Sequence, residues 1–326
     1  AFLAGPPLVK MATGEESDDE TLGGAKMHSE ISGLSDYLAE DEMDALRICR
    51  EVVSHLNWSK KGGQPLNKST EPKYNKEELL GILSEDLKSA VDIKEIIARF
   101  ADGSKFEEYK SLYGSSLVCG WANVHGYQIG ILGNNGPIYP ESAEKGATFI
   151  QLCNKRNIPL IFLQNVTGFL VGKDFERQGI IKKGSQLINA VSNSTVPHIT
   201  FIVGASYGAG TYAMSGKAYN NRFTFLWPTA KIAVMGPEQM AGVMSIVRQA
   251  KSKRDGKKFD KKADDQLKQM VTDYLEKLSH GLVASSMLTD DGIIDPRDTR
   301  DIIGFCLSIV NNDEIQGAKE YGVFRL

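Results

Sequence analysis

Residues 201–216 read FIVGASYGAGTYAMSG. The β-branched run Ile199 to Val203 predicts a buried strand. It breaks into a small-residue cluster, Gly204-Ala205-Ser206-Tyr207-Gly208-Ala209-Gly210, and an apolar stretch at helical spacing, Tyr212 to Ala218, follows. Strand, glycine-rich turn, helix start is a geometry that aims backbone N–H groups at a developing negative charge. The turn holds no acid, base or thiol. The chemistry it fits is polarisation of a carbonyl or ureido oxygen by main-chain amides. A second reading stands beside it: the glycines only let a strand and a helix pack closely.

Two more glycine-rich turns follow buried strands. Thr167-Gly168-Phe169-Leu170-Val171-Gly172 comes after PLIFLQNV, and Met235-Gly236-Pro237-Glu238 comes after KIAV, with a helix from Glu238 onward. Three turns of one type at strand ends fit a single shared cleft, which favours the functional reading of each. The surrounding pattern is α/β. Strands are predicted at Ser116 to Ala122, Tyr127 to Leu132, Pro159 to Gln164, Pro197 to Val203, Phe223 to Trp227 and Lys231 to Met235. Helices are predicted at Ile93 to Phe100, Ser142 to Asn154 and Gly179 to Val191. Such alternation points to a layered βαβ-type fold with parallel strands and a site on the turns at the strand C-termini.

Upstream the organisation changes. Gly14 to Gly24 is acidic and loop-like, and Asp41 to Leu56 places Met43, Leu46, Ile48, Val52, Val53 and Leu56 at helical spacing. A segment this short cannot bury that helix alone. Residues 1–58 therefore read as the tail of an upstream domain, 59–76 as a Lys/Gly/Pro/Ser/Asn-rich linker, and 77–326 as the main domain. The chain opens at Ala1 without Met or a transit-peptide composition, as an interior piece of a longer protein would.

Composition excludes several classes. A formal net charge of −3 gives no nucleic-acid or anionic-membrane footprint. The basic run Lys251 to Lys262 alternates with Asp255 and Asp260 and reads as a solvated face. No apolar run approaches the roughly 18 residues of a membrane span. Cys49, Cys119, Cys153 and Cys306 are scattered, with no CxxC and no His at ligand spacing, so no metal site or disulfide framework is indicated. Cys119, Cys153 and Cys306 lie in apolar segments and read as core residues. His125 and His198 have no evident Asp or Ser partner and read as surface or packed residues. Gly204-Ala205-Ser206-Tyr207-Gly208 matches GxSxG, but the only later His is His280, so a hydrolase is disfavoured. Neither a Walker A nor a GxGxxG motif follows a strand. Glu238 reads as a first-turn capping charge.

The segments AFLAGPPLVKMATGEE, LGGAKMHSEISGLSDYLAEDE, DIKEIIARFADGSKFEEYK, GILGNNG, LQNVTGFLVG, GASYGAGTYAMSGKAY, FLWPTAKIAVMGPEQ and DDGIIDPRDTR carry a resemblance. The chain resembles the carboxyltransferase (β) subunits of biotin-dependent acyl-CoA carboxylases, most of all the methylcrotonoyl-CoA type, over nearly its whole length. The resemblance implies a crotonase-like (ClpP-like) ββα spiral, with a complete C-terminal half and the tail of an N-terminal half. It implies a carboxyl group passed from carboxybiotin to an acyl-CoA, 3-methylcrotonyl-CoA above all, in leucine catabolism. The backbone amides of Ala209 and Gly210 would bind the biotin ureido oxygen, with no protein base. Gly168, Phe169, Leu170, Val171, Gly172, Tyr207, Gly208 and Gly236 would line the biotin site. Biotin would arrive on a biotin carboxylase/carrier α subunit, acyl-CoA would be the substrate, and no metal is implied in this chain. The family forms homo-oligomers, dimers assembled into hexamers, in the mitochondrial matrix of eukaryotes or the cytoplasm of bacteria.

Two departures bear on this. Propionyl- and acetyl-type relatives carry D-x-P-G-F-x-P-G where this chain has Gln164-Asn165-Val166-Thr167-Gly168-Phe169-Leu170-Val171-Gly172, which favours the methylcrotonoyl or geranyl branch. The upstream glycine-rich turn for the thioester oxygen is absent, so the fragment alone is expected to be inactive. The competing readings are the carboxyltransferase subunit of a biotin-dependent decarboxylase, a non-catalytic truncated paralogue that only assembles with partners, and, more weakly, a CoA hydratase.

Overall fold

Two units make up the chain, Ala1–Lys60 and Lys61–Leu326. The computed structural model describes residues 1–83, 91–219 and 221–324. In the first unit the acidic stretch expected as a loop contains a short helix, Asp19–Gly23. The Asp18 carboxylate starts it by accepting the Thr21 N–H at 2.9 Å. The expected longer helix is Glu42–Ser54, capped by Asp41 on the Asp44 N–H at 2.8 Å. Its Met43, Leu46 and Val53 are exposed.

Lys61 onward belongs to the second unit, so the stretch read as a linker is held there. The Lys61 N–H donates to Asn312 O at 3.0 Å and the Asn67 N–H to Gly126 O at 3.2 Å. Arg300 Nη2 donates to Thr70 O at 3.1 Å.

The second unit is built on one seven-stranded sheet. Its strands are β1 (Glu107–Glu108), β2 (Leu117–Val124), β3 (Tyr127–Asn134), β4 (Leu160–Val166), β5 (His198–Tyr207), β6 (Phe223–Leu226) and β7 (Lys231–Ala233). They run in the order β1-β2-β3-β4-β5-β6, with β7 also on β5. Helices that frame the sheet and the site are α1 (Ile93–Phe100), α2 (Pro140–Lys155), α3 (Ile180–Asn193), α4 (Ala209–Ala213), α5 (Pro237–Arg254), α6 (Lys261–Ser279) and α7 (Thr299–Val310).

From β3 to β6 neighbouring strands are parallel, as expected, but β1, β2 and β3 are antiparallel. The cause is local. His125 and Gly126 both have positive φ, 49° and 80°, the signature of a two-residue hairpin turn. The Asp102 carboxylate accepts both turn amides, at 3.2 and 2.8 Å, and pairs with Arg300 at 2.8 Å.

Central strands bury both faces, which is why they read as unbroken apolar runs. On β4, Ile161 and Leu163 join α1 and α7 in one core layer. Leu160 and Phe162 join α2 and α3 in the other. Cys119, Cys153 and Cys306 are buried there as free thiols, as expected.

The decisive stretch departs from its sequence reading. β5 runs four residues past Val203, through Gly204-Ala205-Ser206-Tyr207, because β7 pairs with it there. The turn is Gly208 alone, and the helix after it is Ala209–Ala213 rather than Tyr212 to Ala218. Ser215, at φ 57°, stands just beyond its end.

Candidate active site

β4, β5 and β7 are parallel, so the segments after them leave the sheet on one side. They converge on a cleft of about 880 Å³. Thr167 to Val171 line it from β4, Tyr207 to Ala209 from β5, and Val234 to Gln239 from β7. Of the expected site residues, Gly168, Phe169, Leu170, Val171, Tyr207, Gly208, Ala209 and Gly236 reach this cleft. Gly210 lies buried behind it. Gly172, at φ 138°, begins the next helix, Lys173–Arg177, away from the lining.

Backbone geometry explains two glycines. Gly208 has φ 57° and ψ −140°, a region closed to side chains by their Cβ. Its N–H donates to Ala233 O at 3.0 Å, stitching the first turn to the third. At Gly210, a methyl group would stand 2.8 Å from Val166 Cγ2 and 3.2 Å from Gly168 Cα, so the β4 turn packs directly on α4. Gly204 fits the packing reading instead: its missing side chain leaves space for Asn165, whose Oδ1 accepts the Ala205 N–H at 3.1 Å.

Ala209 and Gly210 occupy the first two positions of α4, where the helix itself offers their N–H groups no acceptor. Among the described residues neither N–H donates to another oxygen. The Ala209 N–H thus stands in a cleft whose lining also holds the apolar Phe169, Leu170, Val171, Val234 and Met235, and the Gly210 N–H lies next to it in the chain.

Sequence reasoning missed the polar wall. Lys231 on β7 and Thr272, Asp273 and Glu276 on α6 also line the cleft. Lys231 Nζ pairs with the Glu276 carboxylate across it. Asp273 accepts from Gln269 Nε2 at 2.8 Å. Nothing in a polar helical stretch distant from the turns marks these residues; folding α6 back along α5 brings them in. Tyr207 is 8% exposed, and burial foremost, then nearby Glu276, pushes its phenol up to about 12. It therefore stays a neutral donor.

The nucleophile reading fails on geometry. Ser206 is fully buried, donating to Gln164 Oε1 at 2.6 Å and sharing a hydrogen bond with Thr211 Oγ1 at 2.9 Å. His198 is packed between Ser194 Oγ at 2.7 Å and Ser215 Oγ at 2.8 Å, and burial lowers it to about 4. Among the described residues no three His, Cys, Asp or Glu side chains stand together as metal ligands. None of the described helices is long and apolar enough to cross a membrane.

Comparison with known proteins places the chain in a family. The carboxyl transferase domain matches residues 1–324. The chain is 56% identical over 326 residues to a probable biotin-dependent acyl-coenzyme A carboxylase beta2 subunit of Mycobacterium tuberculosis, covering all of this chain and 61% of that protein. It is 46% identical over 326 residues to the mitochondrial methylcrotonoyl-CoA carboxylase beta chain of Dictyostelium discoideum, covering all of this chain and 55% of that protein. Among solved structures, the β subunit of Pseudomonas aeruginosa geranyl-CoA carboxylase superposes with a TM-score of 0.83 at 43% identity, over 99% of this chain and 60% of that one. The chain thus spans somewhat more than half the length of these relatives. It belongs to the carboxyl transferase domain family, that of the β subunits of biotin-dependent acyl-CoA carboxylases, and shares their crotonase-like α/β fold.

Proposed function

We propose that this chain forms the biotin side of a carboxyltransferase that carboxylates an acyl-CoA, 3-methylcrotonyl-CoA above all. The observation that carries the reading is the convergence of three turns on one cleft, with Ala209 in its wall and Gly210 directly behind it at the start of α4. The residues present fit a biotin ring: two main-chain donors for a ureido oxygen, an apolar wall, and ample volume. Biotin, brought in by a partner subunit, supplies the carboxyl group when bound.

The protein's own part is to bind, orient and stabilise. Ala209 and Gly210 would hold an oxygen that gains negative charge, with donors fixed before the reaction begins. Phe169, Leu170 and Val171 would exclude water and so strengthen those hydrogen bonds. Glu276 is tied to Lys231 and Asp273 to Gln269, so the reading assigns neither carboxylate the role of base.

Residues 1–58 are proposed as the tail of an N-terminal crotonase-like half, 59–76 as the connection and 77–326 as the carboxyltransferase half. Acyl-CoA would bind mainly to the N-terminal half, and the working enzyme would be an oligomer joined to a biotin-bearing subunit. Similarity to a methylcrotonoyl-type chain and to a geranyl-type structure supports a branched, unsaturated acyl group.

The test is a substrate panel. The longer protein containing this chain, mixed with its biotin-bearing partner, ATP and bicarbonate, should carboxylate 3-methylcrotonyl-CoA faster than propionyl- or acetyl-CoA. The isolated 326 residues should show no turnover. A preference for propionyl-CoA, or turnover by the isolated chain, would overturn the corresponding part of the proposal.

A further inference from the structure

Behind the cleft, the Gln164 side chain touches both ends of the segment that carries the two amides. Gln164 ends the regular pairing of β4 with β5 and is fully buried. Its Oε1 accepts from Ser206 Oγ at 2.6 Å, just before the Gly208 turn. Its Nε2 donates to Met214 O at 2.7 Å, just after α4. Because the Ser206 proton goes to Gln164, Ser206 Oγ accepts from Thr211 Oγ1 at 2.9 Å. The chain of hydrogen bonds therefore has one direction: Thr211 to Ser206 to Gln164 to the Met214 carbonyl.

We infer that Gln164 is a positioning residue for carboxyl transfer: its carboxamide is a strut across residues 206–214 that sets the direction of the Ala209 and Gly210 N–H groups. α4 has only five residues and cannot hold its own orientation through helix length. β5 is also irregular here: between Gln164 and Val166 its register shifts from Ile202 to Ser206. β7 holds Ala205 to Tyr207 from one side; on the β4 side the pairing slips between Ile202 and Ser206, and the Gln164 side chain spans that slip. A carboxamide suits the task because it donates on one side and accepts on the other without charge. Leucine or methionine would fill the volume and hold neither end.

The inference rests on the reading of Ala209 and Gly210 as the donors, and its test is chosen to separate the two. Gln164→Met, Gln164→Glu and Ser206→Ala are made in the longer protein with its biotin-bearing partner. Hydrogen–deuterium exchange of the 208–216 peptide is followed beside kinetics. Gln164→Met should lower kcat about a hundredfold with KM for acyl-CoA little changed. Exchange in that peptide should quicken by about tenfold, while β3 peptides hold their wild-type rates.

Gln164→Glu carries a signature of its own. Burial favours the neutral acid, and the protonated carboxyl again both donates and accepts. Its kcat should recover as pH falls from about 8 to about 6, relative to wild type, because the ionised form confronts the Met214 carbonyl. Ser206→Ala, which removes one hydroxyl, should show the Met effect in milder form if Gln164→Met fails to fold. Unchanged exchange in the 208–216 peptide, or a Gln164→Glu profile parallel to wild type, overturns the strut. Wild-type protein with no carboxyl transfer at all would refute the proposed function while the exchange contrast still decides the strut.

Discussion

Gly210 has room for a hydrogen and little else. A methyl group there would press on Val166 Cγ2 at 2.8 Å and on the Gly168 backbone at 3.2 Å. Gly210→Ala should push α4 away from the β4 turn at a stability cost of about 1–3 kcal/mol. Carboxyl transfer should fall by about a hundredfold, since the donors move. Trimming Val166 to Ala in the same protein removes the methyl that clashes and should restore part of the rate; steady-state kinetics of the single and double variants check this. A double variant no faster than Gly210→Ala would show that the contact is not what fixes the turn.

At the scale of elements, β5 is anchored by His198. Its ring bridges Ser194, just after α3, and Ser215, just after α4. Burial holds it neutral, with a value of about 4 against an ordinary 6.5. Between those pH values the unfolded chain binds a proton that the folded chain refuses. Stability should therefore fall as pH drops from 6.5 toward about 4, and level off below. The loss should be on the order of 3 kcal/mol. Urea unfolding across this range, compared with His198→Gln, isolates the contribution. The variant starts less stable but should have the flatter profile; equal slopes would mean that His198 is not what titrates.

The elements also show what sequence could reveal. β4 and the first half of β5 were legible because both faces are buried, so Ile, Leu, Phe and Val dominate LIFL and ITFIV. That a turn follows each of β4, β5 and β7 was legible because glycine at strand ends is a local signal, although the turn after β5 proved to be Gly208 alone. The continuation of β5 through Tyr207 was not, because it depends on pairing with β7, which follows only after α4 and β6. Nor was the polar wall legible, since Thr272, Asp273 and Glu276 join the site only when α6 folds back along α5. The antiparallel start of the sheet had a readable trace, the His125-Gly126 pair, whose positive φ values close the hairpin.

For the whole molecule, exposed apolar surface points to assembly. On α5, Val243, Ile246 and Val247 are 47%, 66% and 61% exposed, and α6 adds Met270 and Tyr274 at 69% and 63%. α3 adds little to this surface: Ile180 and Leu187 are buried, Ile188 packs on the unit's own core, and Ile181 is exposed. Exposed apolar side chains grouped on neighbouring helices are the kind of surface that oligomers cover. Sedimentation of the longer protein at micromolar concentration should show an oligomer, and Ile246→Glu with Val247→Glu should shift it toward smaller species. A stable monomer would remove the interface from the account.

Under the proposed function, main-chain N–H groups, rather than any side chain, do the stabilising in this cleft. Ala209 allows a direct test, because it is exposed and first in α4, where proline is tolerated and only the N–H is lost. The measurement is the rate of 3-methylcrotonyl-CoA carboxylation by the longer protein with its biotin-bearing partner, for wild type, Ala209→Pro and Ala209→Gly. Ala209→Pro should lose about 10² to 10³-fold in kcat, while Ala209→Gly, which keeps the N–H, should stay within about threefold of wild type. Wild-type rates in Ala209→Pro, or equal losses in both variants, would contradict the account.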